Sequence, residues 1–274
     1  MSKIWFITGS SRGFGRQFAK AALERGDKVA ATARNTDSLA DLVAAHGEAI
    51  LPLTLDVTDK AAATAAVQRA HAHFGRLDVV VNNAGYGLFG MVEELTEQQI
   101  RDQMETNFFG ALWVTQAALP LLREQGSGHI VQISTIAGVV AFPYVGGYNA
   151  SKWALEGLSD ALAQEAAGFG IKVTLVEPGG FATDWAGSSA VAAEPLSAYD
   201  EVRAAAHAGA SQLGNSDPAT SGEALLKIVD ADTPPLRVFF GTAPLHVAPP
   251  VYAGRLKTWE EWAKVSAEAE GTTA

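Results

Sequence analysis

The sequence contains no cysteine among its 274 residues, which excludes disulfides, thiolate metal sites and a catalytic thiol. Positive charge is also scarce, since 20 Lys and Arg against 30 Asp and Glu give a formal net charge of −10. A chain of this charge has no broad attraction for phosphate backbones or anionic lipid headgroups. We therefore expect neither a nucleic-acid partner nor a membrane partner.

Long apolar runs are missing as well. Met1 and Lys3 lead directly into the strand-like IWFIT, without an apolar stretch of signal-peptide length. No later run approaches the roughly 20 residues that a bilayer requires. His71 and His73 lie two apart on a predicted helix and face different ways, which is poor geometry for one metal ion. These absences favour a cytoplasmic protein without a metal site.

What the sequence does contain is a regular alternation of strand and helix signals. Strand then helix, repeated six times, predicts a parallel sheet with helices on both faces, because right-handed crossovers pack back onto the sheet. We predict an α/β fold: a doubly wound, Rossmann-like sheet of about seven strands in one domain over residues 1–274. The predicted strands are 3–8, 28–33, 49–54, 77–82, 129–133, 171–177 and 236–240. The predicted helices are 13–25, 37–46, 59–74, 96–123, 146–168 and 218–230.

Two regions near the C-terminus differ from this alternation. Residues 182–216 are rich in Ala, Ser and Gly and too long for an ordinary connection, so we expect a lid or substrate loop with short helical pieces. Residues 255–270 predict an amphipathic C-terminal helix. Its Trp259 and Trp262 lie on one side and are expected to pack on the body of the protein or on another subunit.

The segment TGSSRGFG, residues 8–15, follows the first predicted strand, and ligands of such sheets lie beyond the carboxyl ends of the strands. Gly9 permits a tight turn, Gly13 lets a phosphate approach the backbone, and Gly15 lets the next helix pack closely. Three glycines alone could merely form a turn. Placed directly between a strand and a helix, they favour a dinucleotide site.

The end of the second predicted strand, VAATARN, lacks the acid that would bond the ribose 2′-hydroxyl of NAD. Arg34, with Arg12 from the glycine loop, matches the 2′-phosphate of NADP instead. Arg34 could also be a solvated arginine at a helix start, which leaves the missing acid unexplained. After the third strand, Asp56 could bond an adenine amino group and Val57 could cover the ring, although Asp56 could equally be a turn residue.

The segment YNASK places Tyr148 and Lys152 four positions apart, on one face of a predicted helix. A free phenol has a pKa of about 10, too high for a base at neutral pH. An ammonium about 4 Å away would lower that pKa by about three pH units. We therefore expect Lys152 to bring the pKa of Tyr148 toward the range of an acid/base catalyst. An exposed helix start is the alternative explanation of this segment.

Taken together, these segments resemble the short-chain dehydrogenase/reductase family. The resemblance runs from residue 3 to about residue 184 and is carried by TGSSRGFG, NNAG, Asn107 in ETNFFG, ISTIAG, YNASK and PGGFAT, in this order. It implies that Tyr148 is the general acid/base and that Lys152 is its partner and ribose anchor. It further implies that Asn107 holds a proton-relay water.

One position departs from the family pattern. Thirteen residues before Tyr148 the family usually has a serine, and this chain has Thr135. The threonine hydroxyl can also donate and accept hydrogen bonds, so Thr135 can orient the substrate oxygen. Ser134 is the alternative, and only one of the two should face the substrate because adjacent strand residues point to opposite faces.

The cofactor expected is NADP(H). By the resemblance, Pro178 and Gly179 turn the chain beneath the nicotinamide, and Thr183 bonds its carboxamide. The complete predicted cofactor set is Gly9, Ser11, Arg12, Gly13, Phe14, Gly15, Arg34, Asp56, Val57, Asn83, Ala84, Gly85, Tyr148, Lys152, Pro178, Gly179, Phe181 and Thr183.

The expected function is that of an NADP(H)-dependent oxidoreductase acting on a ketone, an aldehyde or a secondary alcohol. A noncatalytic NADP(H)-binding sensor or scaffold of the same fold is the alternative. A dehalogenase-like relative without cofactor is disfavoured, because such relatives lose the glycine loop and the lysine. Large residues near predicted loops suggest an apolar or aromatic substrate, although each could be core: Phe142, Tyr144, Phe181, Trp185 and Tyr199.

The assembly expected from the resemblance is a homodimer or homotetramer. Family members usually pair through the two long helices that correspond to the predicted helices 96–123 and 146–168.

Overall fold

A computed structural model describes residues 2–271 and shows a seven-stranded sheet in which all neighbouring strands are parallel. The strands are β1 (Ile4–Ile7), β2 (Lys28–Ala33), β3 (Ile50–Thr54), β4 (Val79–Asn82), β5 (Gly128–Ile133), β6 (Ile171–Pro178) and β7 (Arg237–Phe240). Their order across the sheet is β3-β2-β1-β4-β5-β6-β7. The doubly wound fold and all seven predicted strands are confirmed.

Helices cover both faces of the sheet. They are α1 (Gly13–Glu24), α2 (Ala40–His46), α3 (Lys60–Phe74), α4 (Glu97–Met104), α5 (Gly110–Gln125), α6 (Gly146–Ala166), α7 (Asp200–Ala210), α8 (Ser221–Asp230), α9 (Pro244–Glu261) and α10 (Ala263–Ala269). Helices α1, α2 and α8 pack on one face, whereas α3, α5 and α6 pack on the other. Within residues 2–271, no helix combines the length and hydrophobicity needed to cross a bilayer.

The central strands are apolar throughout because both of their faces are buried. In β1, Trp5 and Ile7 belong to the core under α1, while Ile4 and Phe6 belong to the core under α3. This alternation follows from the two-residue period of a strand. Burial of each such side chain contributes about 1.5–3 kcal/mol, so the sheet is a rigid base for the loops at the carboxyl ends of its strands.

The predicted helix 96–123 is helical from Glu97 to Gln125, but its hydrogen-bond pattern changes in the middle. A π-helical segment, Glu105–Phe109, separates α4 from α5, and one turn of π-helix is a local widening often found at functional sites. Asn107 lies in this segment and is buried. Apolar periodicity continues across a single widened turn, so the sequence pattern gave no sign of it.

The C-terminal helix begins earlier than predicted, at Pro244, where the first turn of a helix tolerates a proline. It ends at Glu261 and is followed by α10. Trp259 and Trp262 are 68% and 62% exposed. Packing of these two side chains on the body of the protein is therefore wrong for the described structure, and packing on another subunit stays a prediction.

Residues 182–216 leave the sheet and return to nearly the same point. Phe181 pairs with Ser216 as an isolated bridge, and the Ala182 N–H donates to the Ser216 carbonyl at 2.8 Å. The segment contains α7, and its short strand Val191–Ala192 pairs with Leu88–Phe89. It therefore lies over the carboxyl end of β4, where the site residues converge.

Candidate active site

The glycine loop joins β1 to α1 with very little space. Gly9 and Gly13 have φ angles of 66° and 56°, in the left-handed region that favours glycine. A Cβ on Gly15 would overlap both the Gly9 carbonyl oxygen and the Asn83 side-chain amide. Helix α1 therefore starts directly against the turn, with the N–H groups of its first turn at the edge of the sheet, which is the geometry that binds phosphates.

The NNAG segment after β4 is fastened to this loop. The Asn83 side-chain amide donates to the carbonyls of Thr8 and Gly9 at 2.9 and 3.0 Å. The Thr8 hydroxyl accepts from the N–H groups of Asn83 and Ala84 at 2.9 and 3.0 Å. Sequence reasoning assigned no role to Thr8, which joins the two loops. The Asn83 side chain is thus engaged by the glycine loop, and contact of the NNAG backbone with the cofactor ribose stays a prediction.

The two arginines predicted for a 2′-phosphate differ in their surroundings. Arg34 is exposed directly after β2, and no ion pair or hydrogen bond engages it among the described residues. Arg12 instead pairs with Asp184 at 3.1 Å and donates to the hydroxyls of Ser188 and Ser189. Hydrogen bonds from these serines, aided by Arg12, hold the pKa of Asp184 below its usual value. Arg12 therefore ties the glycine loop to the segment 182–216.

Two predicted adenine contacts follow β3. One oxygen of Asp56 accepts hydrogen bonds from the Thr58 N–H and hydroxyl at 3.0 and 2.8 Å. Val57 is buried against Gly110, where an added Cβ would lie 2.7 Å from Val57 Cγ2. The Val57 side chain thus packs against the start of α5, and its contact with an adenine ring stays a prediction.

Three further predicted cofactor residues approach the glycine loop from α1 and from the segment after β6. The rings of Phe14 and Phe181 meet edge to face at 4.9 Å. Thr183 lies across from Gly13, where a Cβ would be 3.6 Å from Thr183 Cβ. Ser11 lies half-buried in the turn itself. The space between the glycine loop and Thr183 is thus narrow. One side of it is formed by residues 11–14 and the other by residues 181–183.

Helix α6 carries the YNASK segment, and both Tyr148 and Lys152 are buried. Lys152 Nζ donates to the Ile133 carbonyl at 2.8 Å and lies 6.0 Å from the centre of the Tyr148 ring. Asn107 Nδ2 lies 3.1 Å from the Tyr86 carbonyl and 3.2 Å from the Ser151 hydroxyl. The π-helical segment and the first turns of α6 are therefore hydrogen-bonded to each other beside the phenol.

The electrostatics of this pair differ from the prediction. Burial raises the pKa of Tyr148 above its ordinary value, and the Thr135 hydroxyl and Trp185 indole that face the phenol oppose this only partly. Burial also lowers the pKa of Lys152 to about 8, with Glu156 acting against it. The prediction that Lys152 lowers the pKa of Tyr148 is wrong for the described structure, because the desolvation of the phenol dominates.

The structure separates Thr135 from Ser134. Thr135 faces Tyr148, and its hydroxyl donates to the Pro178 carbonyl at 3.4 Å. Ser134 points the other way, toward Gly138, where a Cβ would lie 2.6 Å from Ser134 Oγ. The two hydroxyls lie on opposite sides of the chain, as the strand geometry requires, and only the threonine is beside the phenol.

A row of aromatic rings leads from the phenol toward α7. Trp185 lies 4.9 Å from Tyr148 and 5.1 Å from Phe89, measured between ring centres. Tyr144 continues the row, at 5.7 Å from Phe89 and 4.9 Å from His207. Tyr144 has a φ of 70°, a strained value for a residue with a side chain. Sequence reasoning missed Phe89, four residues after the NNAG segment, and His207, which lies far from every motif.

The other three large residues predicted for the mouth have different neighbours. Phe142 packs with Ile136 and Val139 in a small core cluster. Tyr199 donates to a Glu93 carboxylate oxygen at 2.6 Å. Phe181 packs on Phe14, as described above. Of the predicted set, Trp185 therefore packs on the Tyr148 ring, and Tyr144 joins the same row through Phe89.

Comparison with known proteins agrees with the fold and the loops just described. Residues 3–193 match the family described as short chain dehydrogenase. The chain belongs to this family. It is therefore an oxidoreductase with the family's Rossmann-like fold, and the expected resemblance is confirmed.

Individual proteins are similar over most of the chain. Oxidoreductase BOA17 of Botryotinia fuckeliana is 43% identical over 270 residues, which cover 97% of this chain and 98% of that protein. A short-chain dehydrogenase from Streptomyces avermitilis has a crystal structure with a TM-score of 0.91 and 40% identity, covering 98% of this chain and 99% of the other. An alcohol dehydrogenase from Thermococcus sibiricus, complexed with 5-hydroxy-NADP, has a TM-score of 0.72 and 27% identity, with coverage of 88% and 96%.

Proposed function

We propose that this short chain dehydrogenase is an NADP(H)-dependent oxidoreductase that interconverts a ketone or aldehyde and the corresponding alcohol. The observation that carries the proposal is the buried group of Tyr148, Lys152 and Thr135 at the carboxyl ends of β5 and β6. A phenol, an ammonium and a second hydroxyl in one place can bind and protonate a carbonyl oxygen.

The residues of the cleft fit a nicotinamide dinucleotide with a 2′-phosphate. Because Gly15 has no room for a side chain, α1 begins directly against the turn, and the N–H groups of its first turn lie where a pyrophosphate would bind. Arg34 lies at the tip of β2, where the adenosine ribose of such cofactors lies, and its guanidinium has no partner among residues 2–271. The NADP analogue bound by the Thermococcus sibiricus protein supports the same choice. Bound NADPH would supply the hydride.

The side chains around the phenol would supply the proton that the carbonyl oxygen takes up during reduction. A raised pKa keeps the Tyr148 phenol protonated at neutral pH, which is the form that donates a proton to a carbonyl oxygen during reduction. The Thr135 hydroxyl faces the same phenol and would hold that oxygen in place. Lys152, whose ammonium donates to the Ile133 carbonyl, would hold the ribose of the cofactor beside this phenol.

The direct test is oxidation of NADPH against a panel of aldehydes and of aromatic and aliphatic ketones. We expect turnover with some of these carbonyl compounds and the reverse reaction with the matching alcohols. Tight NADPH binding without turnover on any compound would instead favour the noncatalytic sensor or scaffold.

The cofactor preference makes a separate prediction. Arg34→Ala should weaken NADPH binding by about 10–100-fold, because a hydrogen bond between two charged groups contributes about 1.5–3 kcal/mol. Binding of NADH, which lacks the 2′-phosphate, should change little. Fluorescence titration of both cofactors measures the ratio.

Arg69→Ala is the matched control, since Arg69 is also exposed but lies on α3. It should leave both affinities unchanged. An unchanged ratio in Arg34→Ala would show that Arg34 does not bind the 2′-phosphate, and Arg12 would be the next arginine to replace.

The row of rings supports a substrate with an apolar or aromatic body. Trp185, Phe89 and Tyr144 form a continuous aromatic surface beside the phenol, and such surfaces favour flat or apolar groups. The buried indole N–H of Trp185 has no hydrogen-bond partner of normal geometry among the described residues. It faces the phenol, so it can donate to the same substrate oxygen.

Trp185→Leu should therefore raise KM for aromatic ketones by about 10-fold, since an aromatic contact contributes about 0.5–1.5 kcal/mol beyond burial. Small aliphatic ketones should be affected much less. The measurement is kcat and KM for a matched pair of ketones, with Trp259→Leu as control because Trp259 lies exposed on α9. Equal changes for both ketones would contradict the aromatic selection.

A further inference from the structure

Polar residues occupy every fourth position along one face of α6. They are Tyr148, Lys152, Glu156 and Asp160, a spacing that stacks side chains on one side of a helix. The first three are buried, and Asp160 is half-exposed. The face that carries the proposed acid/base thus also carries a buried carboxylate that the proposed reaction does not use.

A second buried carboxylate lies beside Glu156. Glu177 is the last residue of β6 before Pro178. Arg237 Nε lies 3.1 Å from Glu156 Oε2 and 3.6 Å from Glu177 Oε1, and its Nη2 lies 3.0 Å from Asp160 Oδ2. One guanidinium therefore faces three carboxyl groups, of which two are buried.

The hydrogen bonding of this group is incomplete if both glutamates are charged. Glu156 Oε1 and Glu177 Oε1 are buried, and neither has a hydrogen-bond partner of normal geometry among the described residues. The Ser134 hydroxyl is close enough to lower the pKa of Glu156, but it offers a single proton to the pair. A buried carboxylate oxygen without a donor is strongly disfavoured. A proton on one carboxyl turns it into a donor for the other, which satisfies both oxygens.

The neighbouring charges indicate which glutamate carries the proton. Burial, with Glu156 acting in the same direction, raises the pKa of Glu177 to about 8. Burial also raises the pKa of Glu156, but Ser134, Arg237 and Lys152 all oppose that rise. Glu177 is therefore the protonated partner at neutral pH, and Glu156 is the charged one.

We propose that Glu156 and Glu177 form a buried carboxylate pair that shares one proton, and that the charged Glu156 holds Lys152 in its ammonium form. Both glutamates are positioning residues, because neither borders the phenol. The charged and titratable groups that face the pair are Lys152 and Asp160 on α6 and Arg237 on β7. The consequence for catalysis rests on the proposed function, whereas the shared proton does not.

Infrared spectroscopy of the full-length protein tests the shared proton. At pH 7 the wild type should show the carbonyl band of a protonated carboxylic acid, which disappears with a midpoint near pH 8. Glu177→Gln should lack the band, and Glu165→Gln should retain it, because Glu165 lies exposed on the same helix. Absence of the band in the wild type, or its persistence in Glu177→Gln, would overturn the pair.

Thermal unfolding tests the same proton through stability. The pKa of Glu177 is higher in the folded protein, about 8, than its ordinary value of 4.5. Its contribution to stability is therefore fully present below about pH 4.5 and is lost as the pH rises through about 8. Between pH 5 and pH 9 the wild-type Tm should fall by about 5 °C more than that of Glu177→Gln. If the Tm of the wild type and the Tm of Glu177→Gln changed equally with pH, the shared proton would be contradicted.

Nuclear magnetic resonance of the lysine side chains tests the link to Lys152. The Lys152 Nζ signal, assigned by its loss in Lys152→Arg, should titrate near pH 8 in the wild type. In Glu156→Gln the midpoint should fall by about one pH unit, because a neighbouring negative charge is lost. Glu177→Gln is the control, because it keeps the charge of Glu156. In this variant the midpoint of the Lys152 titration should stay near the wild-type value, which would exclude a general effect of replacing either glutamate. An unchanged midpoint in Glu156→Gln would overturn the link.

Kinetics then separate this inference from the proposed function. If the protein reduces carbonyl compounds, the alkaline fall of kcat/KM should begin at lower pH in Glu156→Gln than in Glu165→Gln. An unchanged profile would contradict the role of Glu156 in catalysis. A protein without carbonyl turnover would contradict the proposed function only, since the infrared, thermal and resonance measurements do not depend on turnover.

Discussion

Replacing Tyr148 by phenylalanine is expected to lower kcat/KM for carbonyl reduction by about 10²–10⁴-fold, the usual contribution of a positioned general acid. The change removes one oxygen atom from a ring that packs on Trp185 and lies beside Lys152. The ring itself remains, so NADPH binding and Tm should stay close to the wild-type values. Steady-state kinetics, cofactor titration and thermal unfolding on one preparation measure the three quantities.

The matched control for this variant is Tyr252→Phe, because Tyr252 is exposed on α9. It should retain wild-type turnover. If Tyr148→Phe also retained turnover, the phenol could not be the proton donor, and the Thr135 hydroxyl or the Trp185 indole that face it would have to be examined. If the wild type bound NADPH but reduced no carbonyl compound, the sensor or scaffold alternative would gain support.

The second large effect is expected at the glycine loop, where Gly15→Ala should impair both folding and cofactor binding. The added methyl group would overlap the Gly9 carbonyl oxygen and the Asn83 amide, and the first of these is backbone that cannot rotate away. Overpacking of this kind costs about 1–3 kcal/mol, or about 5 °C in Tm. Displacement of α1 by about 1 Å should weaken NADPH binding by about 100-fold.

Gly157→Ala is the comparison that isolates the effect of position. Gly157 lies in α6, and a Cβ there would meet no atom within 4 Å. Alanine at an open helical position should raise stability by about 0.5–1 kcal/mol, because it restricts the unfolded chain. Opposite signs for the two variants in thermal unfolding would support the close packing at residue 15, whereas similar small changes would contradict it.

The sheet could be predicted because its signals are local. Each strand is a short apolar run bounded by turn residues, and β2, for example, has the predicted bounds of 28–33. The glycine loop and the spacing of Tyr148 and Lys152 are likewise patterns within a few residues. The placement of large aromatic residues was predicted less well. Trp185 packs on the Tyr148 ring and Tyr144 joins the row through Phe89, whereas Phe142 lies in a small core cluster and Tyr199 bonds Glu93.

The errors share a physical cause. Desolvation sets the pKa of Tyr148, and burial depends on every element packed around the ring. The partner of Arg12 lies 172 positions further along the chain, at Asp184. The exposure of Trp259 and Trp262 depends on whether another surface covers α9. None of these quantities is a property of a short segment.

The sequence by itself thus determined the order of strands and helices along the chain and the family. It also determined which residue types gather at the carboxyl edge of the sheet. These features could be predicted because periodicity and motif spacing are properties of short segments. Only the tertiary structure decided that Thr135 rather than Ser134 faces the phenol. It also brought Glu156, Glu177 and Arg237 together from α6, β6 and β7. Contacts between distant segments depend on how the whole sheet and its helices pack, and no single motif determines that packing.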